Sequence, residues 1–189
     1  RAVPEGDGGG APMATEELRD DEPLEVVIDP MRVRDLNDVM AIERLSFTSP
    51  WSRTAFLSEL LENDRAHYLV ARVHGRTVGY VGIWIVADEG HITNVAVHPD
   101  YRSRGVGRRL LHAITELAIR KGARRLTLEV RRSNLRAQSL YQSLGFQSVG
   151  VRRGYYRDNN EDAIIMWRDL SDMLPGESPP PDAGAGTGR

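Results

Sequence analysis

The chain contains no cysteine, which excludes disulfides, thiolate metal sites and a covalent cysteine intermediate. If the chain is an acyltransferase, direct transfer is favoured unless some other side chain acts as nucleophile. No apolar run approaches the roughly 20 residues that a membrane-spanning helix needs, and no charged-then-apolar leader resembles a signal peptide. Basic charge is not in excess: 25 Lys and Arg stand against 27 Asp and Glu, a net charge of −2. Aromatic residues are few, at 6%. These shortages argue against a uniformly basic, base-stacking nucleic-acid binder. A cytoplasmic location is the expectation. What remains, 189 residues at 40% hydrophobic and 28% charged, suits one soluble domain with a closed core.

Composition changes towards both ends. Residues 1–23 hold a Gly-Gly-Gly run, prolines and acids, and residues 173–189 are rich in Pro and Gly. Neither stretch has enough large apolar residues to offset ordering entropy, so both are expected to be disordered around a domain at 24–172. Within the domain the hydrophobic period alternates. Leu24–Arg32 reads as a strand that Pro30 confines to an edge. Asp35 is placed to cap a helix with apolar residues from Leu36 to Phe47, and Ser52 a second helix with Phe56, Leu57, Leu60 and Leu61 on its buried side. His67–Val73 and Thr77–Val86 read as a hairpin around His74-Gly75-Arg76, and Gly90–Val97 as a further strand. A helix from Gly105 to Lys121, a strand over Arg125–Val130, a helix over Asn134–Leu144 and a closing antiparallel pair (Gln147–Tyr155, Ala163–Arg168) complete the pattern. Strand–helix–strand at 90–130 predicts a parallel crossover, so the fold class is α/β with a mixed sheet, parallel at its centre.

The segment VAVHPDYRSRGVGRRLL, residues 95–111, is the most informative. A strand leads into Arg102-Ser103-Arg104-Gly105-Val106-Gly107, and that loop opens directly into a helix. Glycines at 105 and 107 let the backbone approach an anion without Cβ obstruction. The unpaired N–H groups from Gly105 to Arg108 and the helix dipole point at the same place, where a pyrophosphate is the natural guest. Ten Arg or Lys lie between Arg102 and Arg132, which suits a polyanionic ligand. The third glycine of a dinucleotide-binding loop is out of register and no Gly-Lys-Ser/Thr comes after it, so Rossmann and P-loop sites are disfavoured.

Arg102-x-x-Gly105-x-Gly107 resembles the acetyl-CoA signature (R/Q-x-x-G-x-G/A) of the GNAT acetyltransferases. Residues 128–146, LEVRRSNLRAQSLYQSLGF, resemble the stretch LEVR-x-SN-x-x-A-x-x-LY-x-x-LGF of RimI-type ribosomal-protein-alanine N-acetyltransferases. Phe47 with Pro50-Trp51-Ser52, and Arg153-x-Tyr155-Tyr156 with Glu161-Asp162-Ala163, extend the likeness over 24–168. The resemblance implies a GNAT fold: a mostly antiparallel mixed sheet with a central splayed parallel strand pair and flanking helices. It implies acetyl-CoA as co-substrate, held by Val95, Ala96, Val97, Arg102, Ser103, Arg104, Gly105, Val106, Gly107, Arg108 and Asn134. It also implies Glu129 as general base, Tyr141 as the acid that protonates the departing thiolate, and Trp51, Tyr155 and Tyr156 as walls of a peptide groove. The implied reaction is acetylation of the N-terminal alanine of the eighteenth small-subunit ribosomal protein. A protein N-terminus is the partner expected, with no metal, membrane or nucleic acid.

Each of these residues also has a plainer reading. Glu129 could be a strand acid on a solvated face, and Tyr141, among Leu140 and Leu144, could be core. Trp51, Tyr155 and Tyr156 could close a core edge. The five histidines lack metal spacing and receive no role. GNAT folds serve lysines and small amines as well as N-termini, and a non-catalytic acyl-CoA-binding module would keep the same glycine loop.

Overall fold

His74 and Gly75, with φ of 49° and 78°, form the two-residue turn whose twist suits a tight hairpin. It joins β2 (Ala66–Val73) to β3 (Arg76–Val86) with Val73 opposite Arg76. The computed structural model describes residues 23–174; the tails expected at 1–23 and 173–189 lie almost wholly outside the described residues. The remaining elements are β1 (Val27–Pro30), α1 (Leu36–Ser46), α2 (Arg53–Leu61), β4 (Glu89–Val97), α3 (Val106–Arg120), β5 (Arg125–Arg131), α4 (Leu135–Ser143), β6 (Gln147–Tyr156) and β7 (Glu161–Asp169). The strands make one sheet in the order β1-β2-β3-β4-β5-β7-β6. Among the described residues its neighbours are antiparallel, except β4 and β5. The GNAT-type sheet implied by the resemblance is thus the observed one. No helix among the described residues is long and apolar enough to cross a membrane.

The parallel pairing is short. It runs from Glu89 opposite Arg125 to His91 opposite Thr127, and then the strands part. A register shift comes at once on the other side of β4, where Gly82 pairs with Asn94 but Ile83 pairs with Ile92. Thr93 is therefore the extra residue of a β-bulge, which bends the strand and re-aims the side chains beyond it. The result is a V-shaped opening at the centre of the sheet between the C-terminal halves of β4 and β5.

Alternate residues of the strands face two separate cores. On one face α3 buries Val106, Leu110, Leu111, Ile114 and Ala118 against Leu69, Val81, Ile83, Leu126 and Leu128. That apolar stripe, at about 1.5–3 kcal/mol per buried aliphatic side chain, holds the helix to the sheet. On the other face Leu36, Val39 and Ile42 of α1 and Phe56 of α2 pack on Tyr68, Val70, Tyr80 and Ala96.

Two sequence expectations need correcting. The first strand spans only Val27–Pro30 rather than Leu24–Arg32; as Pro30 requires, it lies at the sheet edge. Asp35 does not cap α1 with its side chain. Its carboxylate instead accepts from the Arg32 N–H at 2.8 Å and from both terminal nitrogens of Arg72 at 2.7 and 3.0 Å. A buried acid beside a guanidinium forms the stronger, charge-assisted pair, so tertiary contact displaces the cap. Ser52 does cap α2, accepting from Ala55 N–H at 3.1 Å.

Candidate active site

The glycine loop sits where the sequence places it. Gly105 is the N-cap of α3 in the left-handed region, φ 80°, and Ser103 before it is also left-handed at 63°. These left-handed turns bring the first N–H groups of a 15-residue helix to the mouth of a cleft of about 520 Å³. Val95, Ala96, Val97, Arg102, Ser103, Gly105, Val106, Gly107, Arg108, Asn134 and Tyr141 all line it. Arg104 does not; it lies half-buried off the wall.

Arg102 and Arg108 are already engaged. Arg102 Nε donates to the Val97 carbonyl at 2.9 Å and Nη2 to Ser46 Oγ at 3.1 Å, which staples the loop to β4 and α1. Arg108 donates to Ser143 Oγ at 2.8 Å. Arg136, which the sequence motifs do not single out, donates to Ser103 Oγ and shares the cleft wall. Asn134 serves as N-cap of α4, its Oδ1 accepting from Ala137 N–H at 3.1 Å.

The strand beside the cleft supplies donors. His98 N–H bonds the Val78 carbonyl at 2.8 Å on the β3 side. Backbone groups alternate in direction along a strand. Ala96 therefore faces β3, while Val95 and Val97 face the V where pairing with β5 has ended. An unspent N–H there is suited to a carbonyl oxygen that gains negative charge.

A second groove, of about 730 Å³, meets the first. Ser46, Phe47, Val95, Asn134 and Tyr141 border both. Trp51, Tyr155, Tyr156 and Glu129 line the second groove, so the residues expected to bind peptide and the expected base share one space. Trp51 also packs on Phe56, ring centroids 5.4 Å apart, and combines core and wall. Tyr155 is 47% exposed and meets Tyr156 edge-on at 5.1 Å.

Glu129 is far from a solvated strand acid. Its side chain is 10% exposed, with Oε2 at 2.6 Å from His91 Nε2 and Oε1 at 3.2 Å from Arg152 Nε. The His91 hydrogen bond, with Arg152 adding charge, holds its carboxyl below the ordinary range against the opposing effect of burial. An ionised carboxylate only accepts, so Nε2 of His91 carries the proton in this pair. Tyr141 is 7% exposed and belongs to the core as well as to the cleft wall. Burial pushes its hydroxyl well above the usual phenol range, with Tyr156 adding to the shift. It therefore stays protonated, as a proton donor must.

Sequence reasoning missed His91, Arg152 and Glu43. His91 precedes Thr93 on β4, and its place opposite Thr127 is fixed once β4 and β5 are paired in parallel. Arg152 lies on β6 between two register shifts that no local pattern announces. Glu43, 1% exposed, sits on the groove wall and accepts from Trp51 N–H at 2.9 Å and from the Tyr80 hydroxyl. Burial raises its pKa, the Trp51 bond opposing.

A splayed parallel pair, a helix-capping glycine loop at its edge and a groove meeting that cleft define an acyl-transfer site of the GNAT kind. Residues 36–146 match the Acetyltransferase (GNAT) family, and the chain belongs to it. A Bacillus subtilis protein is 51% identical over 75% of this chain and 94% of its own length. The Escherichia coli K12 [ribosomal protein bS18]-alanine N-acetyltransferase is 40% identical over 76% of this chain and 97% of its own. The crystal structure of the ribosomal-protein-S18-alanine N-acetyltransferase from Escherichia coli superposes with a TM-score of 0.71 at 35% identity, covering 77% of this chain and 94% of that one.

Proposed function

We propose that this protein is an N-α-acetyltransferase that moves an acetyl group from acetyl-CoA directly to the N-terminal alanine of ribosomal protein bS18. The observation that carries the reading is likeness over nearly the whole length of enzymes named for that reaction, joined to a groove that holds Glu129, Tyr141 and the aromatic wall together. The residues fit acetyl-CoA: Cβ-free positions at 105 and 107 front the helix N-terminus, and Gly105 has open space where a Cβ would stand. Bound there, acetyl-CoA supplies an activated thioester at the meeting point of the two clefts.

The chain's own groups then divide the work. Val95 N–H faces the V and would hold the carbonyl oxygen as it gains charge, such a donor contributing about 10²–10³ in rate. Glu129, with His91 against it, takes the proton from the attacking amine, directly or through water. A protein α-amine, with pKa about 7.7–8.0, yields it more readily than a lysine at about 10.4. Tyr141 returns a proton to the departing sulfur. The test is mass spectrometry on two peptides, one with a free N-terminal Ala and blocked lysines, the other with a blocked N-terminus and free lysines. Transfer to the first alone is the expected result. Transfer to the second alone would discard the N-terminal assignment and keep the fold.

A further inference from the structure

Trp84 of β3 lines the second groove and is 39% exposed, an unusual place for so large an apolar ring. It stands directly opposite His91 of β4, and such cross-strand partners share one face of the sheet. His91 in turn touches Glu129 at 2.6 Å. On its other side Trp84 is opposite Ala66 of β2, whose methyl group covers little of an indole. The ring therefore ends a row of side chains that begins at Glu129 and crosses β4.

A carboxylate holds the indole by its edge. Trp84 Nε1 donates to Glu59 Oε2 of α2 at 2.7 Å, and the Tyr68 hydroxyl donates to the same oxygen at 3.3 Å. Among the described residues, Glu59 Oε1 receives one long contact, from Asn63 Nδ2 at 3.5 Å, and keeps capacity for a donor. Arg131 of the same groove is paired with Asp158 and Glu161 at 2.9 and 3.1 Å. An exposed indole face beside a carboxylate suits a guanidinium or an ammonium. The ring attracts the cation through its quadrupole, and Glu59 pairs its charge. A neutral side chain gains only the ring contact, and an acidic one meets Glu59 as a like charge.

We propose that Trp84 and Glu59 form an outer subsite that reads a basic side chain at the third or fourth residue of the substrate. The proposal rests on the reading of this groove as the site of an N-terminal protein segment. Two strand spacings separate β5 from β3, roughly 10 Å, and an extended chain rises about 3.3 Å per residue. A peptide whose amine is at Glu129 thus brings its third or fourth side chain to the indole. The pair lies near the surface and its contribution is modest, roughly three- to tenfold in kcat/KM between a basic and an acidic residue there.

The experiment measures kcat/KM for three peptides that share a free N-terminal Ala and differ only at residues three and four, both Arg, both Gln or both Glu. A lysine peptide with a blocked N-terminus is the control. Trp84→Leu removes the ring face and Trp84→Phe retains one. Glu59→Gln keeps an acceptor for Trp84 and Tyr68 and removes the charge. Tm and acetyl-CoA KM report folding and cofactor binding, and each preference is a ratio within one variant. The expected wild-type order is Arg above Gln above Glu, with the Arg-to-Glu ratio falling as salt is raised. That ratio should drop about twofold or more in Trp84→Leu and in Glu59→Gln, and be largely retained in Trp84→Phe. A wild-type ratio near one, or a ratio unchanged in both Trp84→Leu and Glu59→Gln, would overturn the subsite and leave the N-terminal reading standing. Transfer to the lysine control alone would overturn that reading and the subsite with it.

Discussion

Glu129 of β5 and His91 of β4 meet at 2.6 Å across the point where the two strands part. The contact closes the V at its apex and draws the Glu129 carboxyl below its ordinary pKa. Because the His91 bond is the largest influence lowering the Glu129 pKa, removing it leaves burial to act unopposed except by Arg152 and the strand's own backbone. His91→Ala should therefore move the acidic limb of the kcat profile to higher pH, measured with saturating peptide. Glu129→Gln should lower kcat by about 10²–10⁴-fold with little change in acetyl-CoA KM. The linkage has the same sign. A carboxyl held below its ordinary 4.5 adds stability above that pH, lost as pH falls through the lower folded value. An acidic limb unmoved in His91→Ala would remove His91 from the catalytic pair.

Tyr141 lies at the wall shared by cleft and groove, protonated because burial disfavours the phenolate. Tyr141→Phe keeps the ring and its edge contact to Phe146, centroids 5.9 Å apart, and loses only the hydroxyl. Its kcat should drop about a hundredfold while the KM for acetyl-CoA stays near wild type. The wild-type alkaline limb should show no ionisation near pH 10, where an exposed tyrosine titrates. A limb at that pH, absent in Tyr141→Phe, would mean that the hydroxyl is solvated and the assignment wrong.

How much of the fold and site was legible in the sequence depends on whether each signal is local. The glycine loop was, because left-handed φ at Gly105 and the helix it opens are properties of a few adjacent residues. So were the His74-Gly75 turn and the Ser52 cap. Asp35 carried the same capping signal, yet Arg72, 37 residues away, claims its carboxylate. Glu129 could be nominated only through resemblance, since its partners His91 and Arg152 come from other strands. The parallel centre was legible, but the Thr93 bulge that ends the pairing and opens the V has no mark in its own residues.

The Asp35–Arg72 pair predicts a stability effect separate from catalysis. Asp35 is 3% exposed and accepts from Arg72, from Arg32 N–H and from Thr77 Oγ1 at 3.2 Å. Burial alone would raise its pKa; the Arg72 and Arg32 bonds outweigh that and leave it lowered. Asp35→Ala leaves the Arg72 guanidinium with only Asp29 and Thr77 as partners and should cost about 1.5–3 kcal/mol. For a domain of this size that is a fall in Tm of roughly 3–12 °C, with peptide and acetyl-CoA KM unchanged. In the wild type this contribution is present above the ordinary aspartate value of 3.8 and fades as pH falls below it. A Tm in Asp35→Ala within a degree of wild type would show that the pair is energetically idle.

Gly105 and Gly107 separate backbone need from ligand need at the same loop. At Gly105 a Cβ would meet nothing within 4 Å, yet φ is 80°, so an alanine suffers only the left-handed penalty of about 1–2 kcal/mol. The strain is relieved by moving the loop, and Gly105→Ala should lose both some Tm and some acetyl-CoA affinity. Gly107 lies within α3 and is not left-handed. There a Cβ would stand 3.7 Å from Leu140 Cδ2 and 3.8 Å from Val97 Cγ2, ordinary contacts that leave the fold undisturbed. Its methyl group would nevertheless stand in the cleft wall where the first-turn N–H groups face. Gly107→Ala should therefore keep or slightly raise Tm, since alanine favours a helix by about 1 kcal/mol over glycine, while the KM for acetyl-CoA rises several-fold. Calorimetry and acetyl-CoA titration on both variants decide the matter. Equal and unchanged KM values would mean that the cofactor does not approach the α3 N-terminus, and the cleft would lose its assignment.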